Sequence, residues 1–329
     1  MRAVIVNDYG QTPVLGEVPT PQPGPRQVLI RLRTAAVNPI DGRLARGDWR
    51  IMFPGTFPMV LGTDGAGIVE TVGEGTTRFA PGDVVFGQLM IPPIGSTGTY
   101  AEYVAVDEDA PLARVPKAMH LDVAAALPTI GMTGLALTTM LGPLDGRTVL
   151  VVGARGGVGS MATQFAARAG AHVIAVAPDS ASERMRRYGA AEIIDPTTLA
   201  VPEAVQRASP DGIHALIDTA SDTDRFASLA KLVRPGGSAV TTRFVADVGA
   251  LDAVGVTEIN FVLSASGRLL DRVAEAVVSG YVAPPPITRI PLEDAPTVVN
   301  DTVRGANEVK TVITVRTRAS GAGTRRVRP

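Results

Sequence analysis

The fold is decided by an eleven-residue stretch, Val149-Leu150-Val151-Val152-Gly153-Ala154-Arg155-Gly156-Gly157-Val158-Gly159. It begins as an apolar run of strand type, and the glycines lead into an amphipathic helical pattern. Glycine in such a loop lets the backbone turn tightly, lets a pyrophosphate approach main-chain N–H groups and lets the helix pack close to the strand. We predict that a dinucleotide is bound by Gly153, Ala154, Gly156, Gly157, Val158 and Gly159. The alternative is a purely structural turn.

Short apolar strands and helices alternate around this stretch. The strands are predicted at 148–152, 172–177, 192–195, 215–218, 238–241 and 260–263, and the helices at about 158–169, 182–188, 202–207 and 223–232. Six short apolar strands separated by helices are typical of an α/β fold with a doubly wound parallel sheet.

The rest of the chain predicts a second, β-rich unit. Residues 1–118 are dense in Pro and Gly and contain short alternating runs, which are typical of a compact all-β domain. The segment 265–316 is too small for a third domain, so we expect it to return to residues 1–118 and make that domain discontinuous. Residues 119–264 then form the cofactor domain. The last segment, 317–329, predicts a disordered basic tail.

The composition of the 329 residues excludes several classes of protein. There is no cysteine, so disulfides, iron–sulfur clusters and cysteine-based zinc sites are excluded. The three histidines lack metal-binding spacing, so no metal is expected. A net charge of -1 argues against nucleic acid as a partner. No membrane span or signal peptide is apparent, so we expect a cytoplasmic protein acting on a small-molecule substrate.

The choice between NADH and NADPH depends on the end of the second strand of this unit. An acidic residue there would bond the ribose 2'-hydroxyl of NAD, but the position holds Ala177. Downstream hydroxyl and guanidinium groups suit a 2'-phosphate instead; they belong to Ser180, Ser182, Arg184 and Arg187. We therefore expect NADP(H). Asp179 is the evidence against it, and the alternative for the two arginines is a solvated helix face.

Five segments occur in a fixed order along residues 1–316. They are Ala36-Val37-Asn38-Pro39-Ile40-Asp41 with Gly47, Leu61-Gly62-Thr63-Asp64-Gly65-Ala66-Gly67, Gly98-Thr99-Tyr100-Ala101-Glu102-Tyr103, Leu127-Pro128 to Gly131-Met132-Thr133, and the glycine loop itself. In this order they resemble the zinc-independent quinone oxidoreductase branch of the medium-chain dehydrogenase/reductase superfamily. The resemblance implies a GroES-like β domain joined to a Rossmann domain, with the active site in the cleft between them. It also implies NADPH dependence and a homodimer formed through the last Rossmann strand, here 258–263.

Three departures from related patterns bear on the chemistry. Zinc-dependent members of the superfamily bind a catalytic metal at positions that here hold Asn38 and Thr63, so a zinc alcohol dehydrogenase is not expected. The family usually has Lys or Tyr where this chain has Arg43, and an arginine stays charged and does not act as a general acid. The usual Gly-Lys pair that opens the last strand is Val309-Lys310.

The resemblance and the residue chemistry together give candidate site residues. We expect Asn38 to contact the nicotinamide or a substrate oxygen, Thr133 to contact the nicotinamide, and Arg43 to stabilise a developing enolate or bind an acidic substrate. The structural alternatives are that Asn38 only closes a loop, that the Thr133 hydroxyl bonds its own helix backbone, and that Arg43 forms a surface salt bridge. Asp41 is expected to be structural, and Tyr100 to lie in the core.

A loop after the first of these segments predicts the substrate pocket. Trp49, Met52 and Phe53 lie in it and can line an apolar pocket, with core or lid positions as the alternative.

The function predicted from these residues is NADPH-dependent hydride transfer to a quinone or an α,β-unsaturated carbonyl (enone or enoyl) substrate. Bacterial secondary metabolism is a plausible setting, because arginine greatly outnumbers lysine. The alternatives are an NADP(H)-binding sensor, and a non-redox cyclase or lyase on the same fold.

Overall fold

The computed structural model describes residues 1–302 and 309–316. The tail predicted at 317–329 lies outside the described residues. Among those that are described, no helix combines the length and the apolar character that a membrane crossing requires.

The N-terminal third of the chain contains one short helix and contributes strands to two sheets. Its elements are β1 (Arg2–Val6), β2 (Val14–Glu17), β3 (Gln27–Ala36), α1 (Pro39–Arg46), β4 (Met59–Val60), β5 (Asp64–Val72), β6 (Val84–Gln88), β7 (Tyr103–Asp107) and β8 (Leu112–Arg114). The smaller sheet has the order β2-β1-β4. Proline and glycine interrupt the chain between these strands, which keeps them short.

A second unit follows, in which strands alternate with helices. Its elements are α2 (Leu121–Ala126), α3 (Pro128–Met140), β9 (Thr148–Val152), α4 (Gly157–Arg168), β10 (His172–Val176), α5 (Ser182–Arg187), β11 (Glu192–Ile194), α6 (Val201–Ala208), β12 (Ile213–Asp218), α7 (Thr223–Ala230), β13 (Val233–Thr241) and β14 (Thr257–Asn260). The strands pair in parallel in the order β11-β10-β9-β12-β13-β14. The strand order reverses beside β9, and the predicted doubly wound sheet is confirmed.

The chain then returns to the first unit. The last elements are α8 (Gly267–Val278), β15 (Ile287–Pro291), α9 (Ala295–Thr302) and β16 (Lys310–Thr314). The larger sheet has the order β15-β16-β3-β5-β6-β8, with β7 also paired to β3. β16 pairs antiparallel with β3, and Val312 lies opposite Ala36.

The central strand β9 of the parallel sheet is buried on both faces, because it is apolar from Val149 to Val152. Val149 and Val151 pack into the cluster on one face, and Leu150 and Val152 into the cluster on the other. A third cluster joins the two units: side chains of α2, α3 and α8 pack there against Ala36 and Phe86 of the β-rich unit. Helix α3 therefore reaches both the parallel sheet and the β-rich unit.

The strand predicted at 260–263 is wrong in its position. β14 ends at Asn260, where it pairs with Thr241 at the end of β13. The N–H of Phe261 makes one more bond to Thr241 O, at 2.8 Å, and then the ladder has no partner residues left. The apolar residues after β14 are not part of the strand. Leu263, for example, packs against the cluster between the two units.

Candidate active site

The glycine loop between β9 and α4 lies at the carboxyl edge of the parallel sheet. Gly153 has a left-handed backbone (φ 76°), and a Cβ there would lie 2.4 Å from the hydroxyl oxygen of Thr219. A Cβ on Gly159 would lie 2.3 Å from Gly153 O. Both positions therefore require glycine, one for the turn and one for the close approach of helix to strand.

The start of α4 leaves room for a phosphate. The helix begins after Gly156, and the first N–H groups of an α-helix have no acceptor within it. A Cβ on Gly156 would contact only Gly153 O, at 3.3 Å, apart from its chain neighbours, so this side of the loop is open. Ala154 is buried and donates its N–H to Val176 O (3.2 Å), which ties the loop to β10. Val158, near the start of α4, is half-buried and packs against two of the apolar clusters. The loop fits the pyrophosphate of a dinucleotide.

The two arginines proposed for a 2'-phosphate lie in different surroundings. Arg184 Nη2 donates to Arg155 O at 3.2 Å, so this guanidinium lies against the glycine loop. The side chain of Arg187 is 70% exposed and faces Glu183 at 3.9 Å. Ser180 and Asp179 are both exposed in the 3-10 turn after β10. The structure thus brings Arg184, and not Arg187, to the loop.

Thr133 lies in the middle of α3 and is 7% exposed. Its neighbour Gly134 lets the helix approach α4, because a Cβ there would lie 2.6 Å from Cβ of Met161. The threonine is therefore on the helix that packs beside the glycine loop, as its proposed contact with a nicotinamide requires.

A cluster of charged and polar side chains lies beneath the junction of the two units. Its centre is Asn38, whose Nδ2 donates to Asp64 Oδ2 (2.9 Å) and Ala36 O (3.4 Å). The ammonium of Lys310 donates to Asn38 Oδ1 and to Val37 O, the latter at 2.8 Å. Lys310 is half-buried as a residue, but its ammonium reaches inward to these oxygens. We call Asn38, Asp41, Asp64, Tyr100 and Lys310 the buried polar cluster.

The two carboxylates of the buried polar cluster are satisfied by other elements. Asp41 accepts from the Asn38 N–H (2.8 Å), from the Tyr100 hydroxyl (2.5 Å) and from the Thr63 hydroxyl. Asp64 accepts from the N–H and the hydroxyl of Thr129 on α3, at 3.0 and 2.7 Å. Asp64 therefore links the β-rich unit to the helix that carries Thr133.

Burial governs the ionisation of this cluster. It raises the pKa of Asp64 to about 6 even though Lys310 and Thr129 stabilise the carboxylate. Burial also raises the pKa of Asp41, against the hydrogen bonds from Thr63 and Tyr100. It lowers the pKa of Lys310, an effect that the charges of Asp64 and Asp41 oppose. Burial thus disfavours each of these charges, and the opposite charge of the neighbouring groups partly offsets that effect.

The raised pKa of Asp64 predicts a pH dependence of stability. Because the folded pKa (about 6) lies above the ordinary value of 3.8, the folded state holds the proton more tightly. This contribution is fully present below 3.8 and is lost as the pH rises through 6. From pH 5 to pH 7 we expect the free energy of unfolding of the wild type to fall by about 1 kcal/mol relative to Asp64→Asn. Urea unfolding at both pH values measures it, with the exposed Asp224→Asn as the control. A difference between wild type and Asp64→Asn that is the same at both pH values would contradict the assignment.

These contacts decide what the sequence could only suggest about the predicted residues. Asn38 is 1% exposed, and both ends of its amide are bonded inside the protein, so it faces the cluster and not an open cleft. Tyr100 is buried as expected, but its hydroxyl also bonds Asp41. Lys310 and Asp64 were not predicted as site residues. Both lie in the quoted segments, and a lysine opening an otherwise apolar strand was the available signal.

Only two of the three predicted pocket residues, Trp49 and Phe53, contact each other. The Trp49 ring packs edge-on against Phe53 (6.5 Å between centroids) and against Phe244 (5.8 Å), which follows β13. Arg43 Cζ lies 5.7 Å from the centre of the Trp49 ring. Met52 is 56% exposed and has no part in these ring contacts. Phe244 was not anticipated, because nothing local connects it with Trp49.

No metal site is found among the side chains described. Residues 1–302 and 309–316 contain no group of three or more His, Cys, Asp or Glu side chains placed to hold an ion. Thr63 and Asn38 are engaged with Asp41 and Lys310.

Comparisons with known proteins agree with this architecture. Residues 24–117 match the alcohol dehydrogenase GroES-like domain, and residues 157–275 match the zinc-binding dehydrogenase domain. The human mitochondrial NAD(P)H oxidoreductase RTN4IP1 is 29% identical, over 96% of this chain and 89% of its own. The 2-methylene-furan-3-one reductase of Solanum lycopersicum is 30% identical, over 86% of this chain and 71% of its own. The solved quinone oxidoreductase of Coxiella burnetii shares the fold, with a TM-score of 0.85 over 96% of this chain and 99% of that one at 24% identity.

The chain belongs to the medium-chain dehydrogenase/reductase superfamily. It is an oxidoreductase of that superfamily, and its cofactor is a nicotinamide dinucleotide. The glycine loop is the part of this chain that fits the cofactor.

Proposed function

We propose that the protein is an NADPH-dependent, zinc-independent reductase of quinones or α,β-unsaturated carbonyl compounds. The observation that carries the proposal is the bonding of Asn38 and Thr63. The two positions that hold metal ligands in zinc-dependent relatives here carry an amide bonded to Lys310 and a hydroxyl bonded to Asp41. A reaction that relies on the bound cofactor and on fixed protein donors suits this arrangement.

The proposed reaction is a two-electron reduction. NADPH supplies a hydride to the alkene carbon when it is bound, and a proton is taken up at the neighbouring carbon. The glycine loop and α4 would hold the cofactor. Trp49 and Phe244 would keep water from the boundary between the two units where they meet, which we call the seam. Asp64 fixes α3, and with it Thr133, by its two bonds to Thr129.

The preference for NADPH over NADH is proposed on the position of Arg184 against the loop. Arg184→Ala is expected to weaken NADPH binding about 10- to 100-fold and to leave NADH nearly unchanged, because a guanidinium pairs strongly with phosphate. Isothermal titration with both cofactors measures this. Arg187→Ala, which removes an exposed arginine from the same helix, is the control and should have little effect. Equal losses for the two cofactors would mean that Arg184 only supports the loop.

The activity is tested by NADPH oxidation in excess chelator, with a para-quinone, an alkyl enone and an enoyl thioester as acceptors. Chelator-insensitive turnover with any of them is the expected result. Tight NADPH binding without oxidation across the panel would contradict the proposal and favour an NADP(H) sensor or a non-redox enzyme.

The cytoplasmic location, the secondary-metabolite setting and the homodimer through the last strand stay predictions. β14 is one of the two terminal strands of the parallel sheet, and no strand of the described residues pairs with its outer edge.

A further inference from the structure

One aromatic contact joins the two units at the edge where the cofactor loop lies. Trp49 comes from the loop after α1, and Phe244 follows β13 at the carboxyl edge of the parallel sheet. Phe244 has a left-handed backbone (φ 60°), which is unfavourable for a bulky residue. In this conformation the Phe244 ring lies 5.8 Å from the Trp49 ring, centroid to centroid. Trp49 and Phe244 therefore form an apolar wall across the seam between the two units, and Phe53 extends this wall.

Arg43 lies on this wall, and none of the described residues forms an ion pair with it. Its neighbours on α1, Gly42 and Leu44, are buried, whereas Arg43 is half-buried and its Cζ lies over the Trp49 ring. Arg46, one turn further along the helix, is paired with Asp48. Within the described ranges Arg43 has neither an ion pair nor a side-chain hydrogen bond. A guanidinium that contacts an aromatic ring through its cation–π attraction still has N–H groups with which to donate to an anion.

The same seam carries a second unsatisfied cationic group. Arg243 precedes Phe244, and its Nε is buried without a hydrogen-bond partner in the part of the chain that the structure describes. Half-buried positive charge gains more from an anion than the same charge in open water. Residues 1–308 contain more acidic than basic residues, so the charges of Arg43 and Arg243 are opposite in sign to the net charge of this part of the chain.

We propose that Arg43 binds a carboxylate of the substrate, so that the preferred acceptor is an α,β-unsaturated carbonyl compound that carries a carboxylate group. The planar fork of the guanidinium matches a carboxylate with two parallel hydrogen bonds. The apolar part of such a compound lies against Trp49, Phe53 and Phe244. The carboxylate is unchanged in the reaction, while the alkene gains a hydride and a proton. The substrate class rests on the proposed reductase function, but the carboxylate site itself does not.

The kinetic test compares acetylacrylate with its methyl ester, which has the same alkene and ketone. The ester is intrinsically the better electrophile, so a preference for the acid must come from the protein. We expect wild-type kcat/KM to favour the acid at least ~30-fold, and Arg43→Gln to lose ~30- to 100-fold on the acid but less than ~3-fold on the ester. Arg43→Lys should recover part of the loss on the acid. Arg46→Gln, on the same helix, is the control. Equal losses on acid and ester, or a wild type that prefers the ester, would overturn the proposal.

A binding test separates the carboxylate site from the reductase activity. Trp49 is the only tryptophan in the chain, so the intrinsic emission excited at long wavelength reports on this contact alone. Levulinate, the saturated acid, should change the emission of the NADP-bound wild type saturably, whereas methyl levulinate and the Arg43→Gln variant should show no such change. If levulinate binds in this way but neither acetylacrylate nor its ester is reduced, the carboxylate site stands and the proposed reduction fails. If levulinate leaves the wild-type emission unchanged, the carboxylate site is overturned whatever the turnover.

Discussion

Replacing Lys310 with methionine is expected to lower the free energy of unfolding by about 3 to 5 kcal/mol. The variant keeps the length of the side chain but removes the ammonium that faces Asn38 Oδ1 and Val37 O. Asp41 and Asp64, both buried, then lose their cationic partner. Removing one partner of a buried charged group costs far more than the pair contributes, because the remaining charge is left in a dry environment. Urea unfolding at pH 7 measures the loss.

Two further variants make this result specific. Lys231→Met removes an exposed lysine and is expected to change stability by less than about 0.5 kcal/mol. In the double variant Lys310→Met with Asp64→Asn, we expect the free energy of unfolding to fall by less than the sum of the two single losses. The reason is that asparagine has no buried charge that would be left without its cationic partner. Additive losses in this cycle would show that Lys310 and Asp64 do not interact. If Lys310→Met does not fold at all, recovery of a folded protein in the double variant tests the same interaction.

Replacing Gly156 with valine is expected to weaken NADPH binding at least ~100-fold, or about 3 kcal/mol. The substitution meets no protein obstacle other than Gly153 O at 3.3 Å, so its side chain enters the open space where a phosphate would approach the start of α4. Stability should fall by only about 1 kcal/mol, because glycine at the N-cap is exchanged for a poorer capping residue. Isothermal titration with NADPH, together with urea unfolding, measures both quantities.

The control for this substitution is Gly24→Val, whose Cβ would meet only the flexible side chain of Gln27 at 3.4 Å. It lies in the β-rich unit and should leave cofactor affinity within ~2-fold of the wild type, a difference below ~0.5 kcal/mol. An unchanged NADPH affinity in Gly156→Val would mean that the cofactor does not approach the loop from its open side. The glycine loop would then have a structural role alone.

Several features of the site could be predicted because their signals are local. The spacing of Gly153 and Gly159 is typical of a tight turn from a strand into a closely packed helix. The structure shows the left-handed backbone at Gly153 and the close approach at Gly159. The uninterrupted apolar run of β9 predicts burial on both faces of a sheet, which is what the two flanking clusters provide. The position of β14 was missed because the end of β13, and not the apolar run 261–263, sets where the last ladder stops.

The role of Asn38 illustrates what the local pattern leaves open. Its place in the segment Asn38-Pro39-Ile40-Asp41 suggested a group facing the substrate, but the direction of its side chain depends on residues far along the chain. The antiparallel register that sets Val312 opposite Ala36 carries Lys310 to the level of Asn38. Only then does the amide oxygen acquire a cationic donor.

The sequence by itself determined the α/β class, the glycine loop and the lack of any cysteine-based chemistry. These follow from residue type, from the periods of strand and helix, and from backbone conformations that glycine alone adopts readily. Tertiary structure decided the pairing of Lys310 with Asn38, the link from Asp64 to Thr129, and the meeting of Trp49 with Phe244. Each of these contacts joins segments that are distant in the chain. Their formation depends on strand register and on the burial of apolar surface between the two units, which no local pattern encodes.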